Sequence, residues 1–130
     1  MDIKLVIMIH AVCGGAALAL GLIGMVSRKR RGLHTTNGIL FHVAVLATCV
    51  SAAVLCFQAW NAYWWLFVIA LITYIAVVLG HLAARVRWQG WLPFHIICQC
   101  SAYISMTTAF LVVNRSILPK FVGIPSYWSW

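Results

Sequence analysis

Five histidines carry most of the chemistry open to this chain: His10, His34, His42, His81 and His95. Neutral imidazole is an axial ligand for haem iron and a ligand for zinc or copper. Asp2 is the single acidic residue. That excludes a pair of carboxylates for acid–base work and a Ser-His-Asp set. It also argues against sites for hard cations such as magnesium or calcium, which need oxygen ligands. The five cysteines, Cys13, Cys49, Cys56, Cys98 and Cys100, include no CxxC pair. Cys98 and Cys100 lie two apart, about 200° around a helix, and cannot readily share one ligand. The cysteines read as small apolar packing residues.

The elements that position these histidines follow from composition. The chain has 130 residues, 65% hydrophobic and 8% charged, with a mean hydropathy of +1.01. So few polar residues cannot make the water-facing shell of a soluble domain, whereas a bilayer solvates apolar side chains directly. A hydrocarbon core about 30 Å thick needs roughly 20 helical residues per crossing. The sequence predicts an all-α transmembrane four-helix bundle over residues 1–130, with helices at about 5–26, 37–57, 63–83 and 93–114. Residues 115–130 hold Pro119, Gly123, Pro125 and four aromatics, too short and broken to span, and are expected at the outer interface. The first apolar stretch has no basic leader and exceeds twenty residues, so it does not read as a signal peptide.

The net charge of +8 would suggest nucleic acid in a soluble protein. Here the basic residues flank apolar segments, so they report topology and meet anionic headgroups instead. Arg28, Lys29, Arg30, Arg31, Arg85 and Arg87 share one side, against Lys4, Arg115 and Lys120 on the other. This bias predicts both termini outside a bacterial cytoplasmic membrane. Trp60, Trp64, Trp65, Trp128 and Trp130 then belt the outer face, and Trp88 and Trp91 the inner one.

Each segment carries a stripe at alternating spacings of three and four. These are His10, Gly14, Ala17, Gly21, Gly24; His42, Leu46, Cys49, Ala53, Cys56; Tyr63, Phe67, Ala70, Tyr74, Val77, His81; and His95, Cys98, Ala102, Ser105, Ala109. The plain reading of small residues repeated this way is close helix contact. A histidine on every stripe adds a functional expectation, because ionisable residues inside a membrane are costly. His34, His42, His81 and His95 gather toward the basic side. His10 stands apart, about 8 Å inside the outer face at 1.5 Å per residue.

The expected site is a b-type haem bound within the bundle by His10, His34, His42 and His95, serving electron transfer or a respiratory complex. A metal-ion alternative uses His42, His81 and His95. The other function class is a non-enzymatic transport, assembly or structural subunit, either a homo-oligomer or part of a larger complex. In that reading the histidines only hydrogen-bond and the stripes dock partner helices. The lack of a carboxylate in any helix argues against proton coupling of the kind used by small four-helix exporters.

Several stretches resemble the bacterial DUF2306-type predicted membrane proteins over most of the chain. They are His10-Ala11-Val12-Cys13-Gly14-Gly15-Ala16-Ala17-Leu18, the turn His34-Thr35-Thr36-Asn37-Gly38, and His95 followed by Ser101-Ala102-Tyr103-Ile104 and Thr108-Ala109-Phe110-Leu111-Val112-Val113-Asn114. Leu118-Pro119 and Gly123-Ile124-Pro125 complete the likeness. The resemblance implies four transmembrane helices and no particular activity. It implies that His10, His34 and His95 occupy recurring family positions. His42 and His81 match no family histidine, and Cys98, Gln99 and Cys100 replace a family Met or Arg.

Overall fold

The computed structural model describes residues 2–28 and 32–115. It contains four helices in chain order: α1 (Ile3–Val26), α2 (Leu33–Gln58), α3 (Trp60–Val86) and α4 (Trp91–Val113). All four are long and apolar enough to cross a membrane. At 1.5 Å per residue the shortest, 23 residues, spans about 34 Å, more than a hydrocarbon core. The expected four-helix membrane architecture is therefore observed.

Each helix overruns the apolar segment that announces it. Hydropathy marks the edge of the hydrocarbon, whereas a helix satisfies its own backbone and continues until a residue breaks it. The breaks are local. Asp2 caps α1, its carboxylate accepting from the Lys4 backbone N–H at 3.1 Å. Gly32, at φ 107°, opens α2 four residues earlier than its apolar run suggests, so His34 lies in the first turn. Between α2 and α3 only Ala59 leaves helical geometry. Gln58, Trp60 and Asn61, outside the expected helices, are helical, and Phe57 stacks on Trp60 across the corner with ring centres 5.4 Å apart. Arg87 and Gly90, both with positive φ, reverse the chain between α3 and α4. The expected interfacial tail beyond Arg115, with Trp128 and Trp130, lies outside the described residues.

The helices pack in ring order, up and down alternately. α1 and α2 form one close hairpin and α3 and α4 another, α2 and α3 join them, and α1 touches α4 at few positions. The buried centre is Ala17, Phe41, Val45, Val77 and Ala102. Ala17, Gly21, Val77, Cys98 and Ala102 from the expected stripes are buried. α2 differs, because it serves two neighbours. It buries Phe41, Val45, Ser51 and Cys56, while Leu46, Cys49 and Ala53 line a groove shared with α3.

Glycines set the closest approaches. A Cβ on Gly21 would lie 2.6 Å from Cδ2 of Tyr103 and 3.0 Å from Cε2 of Phe41. A Cβ on Gly80 would lie 2.5 Å from Nε2 of Gln99 and 3.0 Å from Cβ of Cys98. Membrane helices associate by packing and by interhelical hydrogen bonds, so such contacts hold the bundle together.

Candidate functional site

The histidines fall into two groups at opposite ends of the bundle. His10 stands alone on α1, toward the α2–α3 corner. Its Nδ1 lies 3.2 Å from the Thr48 carbonyl oxygen and 3.1 Å from Oγ of Ser51. A carbonyl only accepts, so Nδ1 carries the hydrogen in the neutral ring. The Ser51 hydroxyl donates to the α2 backbone, at 2.8 Å to Ala47, which leaves its oxygen to accept from His10. His10 is thereby bound to α2, far from the other histidines.

At the basic end, His95 on α4 reaches α3. Its Nδ1–H donates to the Gly80 carbonyl at 2.7 Å. One turn further along α4, Gln99 donates to the Val77 carbonyl at 3.3 Å. This bond fixes the His95 tautomer and leaves a lone pair on Nε2, the state in which imidazole ligates a metal or accepts a proton. Trp91 packs near the same ring, 6.3 Å between centres, and the Arg87 guanidinium lies over Trp91 at 5.6 Å. This half-buried imidazole therefore sits under an aromatic and cationic rim.

His42 and His81 meet across the α2–α3 seam. Their ring centres are 5.3 Å apart with planes inclined at 46°, and the Tyr74 ring lies 5.7 Å from His42. Nδ1 of His42 is buried and has no hydrogen-bond partner among the described residues. A buried nitrogen left unbonded is costly in a medium without water.

Of the expected haem ligands, His42 and His95 lie at the basic end, His34 in the first turn of α2, and His10 at the far end. Of the expected metal ligands, His42 and His81 are in ring contact, while His95 has given one nitrogen to Gly80. Among the described residues no three of His, Cys, Asp and Glu are grouped to hold a metal ion. A haem carries four nitrogens of its own and asks the protein for only one or two ligands.

The sequence did not single out Ser51 or Gly80, and it gave Gln99 no bonding role. Ser51 had one usable signal. It lies seven residues from the end of α2, as His10 lies seven from the start of α1, so the two are level in the bilayer. No protein-family model, curated protein or solved structure matches this chain.

Proposed function

We propose that this multi-pass membrane protein binds a redox cofactor of the b-type haem class at its basic end, for electron transfer or as an accessory of a respiratory complex. His42 and His81 are the ligand pair in this reading, with His95 the alternative ligand. The observation that carries it is the ring contact of His42 with His81 around a buried, unbonded Nδ1. A zinc-type ion would want three or four protein ligands, whereas haem wants two at most. The pair also lies on the α2–α3 seam, which is packed less closely than either hairpin. The test is an absorption spectrum of protein expressed with added haem, with His42→Ala and His81→Ala as variants. The location belongs to the same proposal: a bacterial cytoplasmic membrane, basic loops inside and both termini outside. So does kinship with the DUF2306-type proteins, on the His10, His34 and His95 segments.

A second reading has its own observation. His10, Asn37, Cys49, His95 and Gln99 all bond to backbone carbonyls of a neighbouring helix. Side chains used this way are interhelical glue, as in a structural or assembly subunit. A cofactor-free protein whose histidine variants lose only stability would favour it.

A further inference from the structure

Tyr74 occupies an unusual depth. It is twelve residues before the end of α3 and fourteen after its start, about 18 Å and 21 Å at 1.5 Å per residue. That places it near the middle of a hydrocarbon core about 30 Å thick. No hydrogen bond to another described residue involves its hydroxyl. At this depth neither water nor the ester carbonyl of a phospholipid can reach it, and an unbonded polar group in hydrocarbon is costly. Tyr74 also lines an open groove between α2 and α3, of about 250 Å3, with Leu46, Cys49, Ala53, Phe67 and Ala70. The one other polar hydrogen in that lining, on the Cys49 sulfur, is directed at the Ala70 carbonyl at 3.4 Å. The groove therefore offers a single free donor at mid-bilayer, apolar walls, and access from the lipid.

We propose that this groove binds the ring of a lipid-soluble quinone, with the Tyr74 hydroxyl donating to one ring carbonyl. A carbonyl that reaches mid-bilayer belongs to a molecule dissolved in the hydrocarbon, and the groove, smaller than the roughly 300 Å3 at which drug-sized sites begin, takes a single ring and leaves the tail in lipid. The choice of a quinone over an inert lipid ketone rests on the redox reading above, since Tyr74 adjoins His42.

The test uses haem-free protein in nanodiscs, titrated with decylubiquinone and read by tryptophan quenching against empty nanodiscs. A saturable component is expected. Tyr74→Phe keeps the ring beside His42 and should weaken binding about fivefold to tenfold, the loss of one hydrogen bond. Ala70→Leu and Ala53→Leu each fill the groove and should abolish saturation, with thermal unfolding confirming that at least one is folded. Quenching no different from partition into lipid, or unchanged in Tyr74→Phe, overturns the proposal. A Tyr74-dependent site without a Soret band in haem-loaded preparations sinks the haem reading alone. A Soret band without saturable quinone sinks this one alone.

Discussion

The Gly80 carbonyl accepts a 2.7 Å hydrogen bond from Nδ1 of His95, and the absence of a side chain on Gly80 is what brings α4 close enough to make it. Packing and polar chemistry are thus one arrangement on the α3–α4 seam. The glycine admits Gln99 and Cys98, and the approach presents a backbone oxygen to His95. The same pairing recurs on α1, where Gly24 faces the Asn37 amide that donates to the Leu20 carbonyl at 2.9 Å.

Glycine substitutions should therefore divide by what they face. Gly80→Ala and Gly21→Ala push a Cβ into Gln99 and Tyr103 and should each cost about 1–3 kcal/mol by overpacking. Gly15→Ala meets nothing within 4 Å and should leave stability unchanged or raised. Thermal unfolding in mild detergent separates the two classes. Equal midpoints for Gly15→Ala and Gly80→Ala would refute the packing described.

His10 and Ser51 should be energetically coupled. Interhelical hydrogen bonds in membranes contribute about 0.6 kcal/mol on average, up to about 1.7. A double-mutant cycle with His10→Ala and Ser51→Ala should give coupling in that range, because the Ser51 oxygen accepts from His10. Strict additivity would mean that His10 relies on the Thr48 carbonyl alone.

Four membrane crossings were legible because the bilayer sets one length requirement that apolar runs either meet or miss. Helix ends were not, since Gln58, Trp60 and Asn61 are polar or interfacial yet helical. That Tyr74, Val77 and His81 share a face was legible from their spacing. That His81 meets His42 was not, because the 3.6-residue period fixes a face and says nothing of which neighbour covers it. Ser51 and Gly80 stayed hidden for the same reason: their roles exist only once a second helix arrives.

Orientation should follow the basic loops. Neutralising Arg28, Lys29, Arg30, Arg31, Arg85 and Arg87 together leaves Lys4, Arg115 and Lys120 as the only basic residues and so reverses the bias that selects which side the two loops face. A cysteine added at the amino terminus of a variant otherwise free of cysteine reads the result with a membrane-impermeant maleimide. The starting sequence should label from outside, and the neutralised form should shift toward the inverted orientation and label only after the cells are opened. A starting sequence that labels only after the cells are opened would overturn the proposed topology.

The histidines should separate by spectrum and by stability. Protein expressed with added haem should show a Soret band and, on reduction, a sharp α band. His42→Ala and His81→Ala should each lower haem occupancy tenfold or more, on the order of what losing a ligand or its support does at metal sites. His95→Ala should shift the band if Nε2 of His95 is a ligand, and should lower the unfolding midpoint in either case, because the Gly80 carbonyl loses its donor. His10→Ala should lower the midpoint through lost contact with Ser51 and leave the spectrum alone, since His10 sits at the other end of the bundle. A band abolished by His10→Ala and kept in His42→Ala would move the cofactor to the far end and break the link between the ring pair and haem. No band in any preparation, with stability losses for every histidine variant, would leave the imidazoles as helix-to-helix hydrogen bonders and favour a structural subunit.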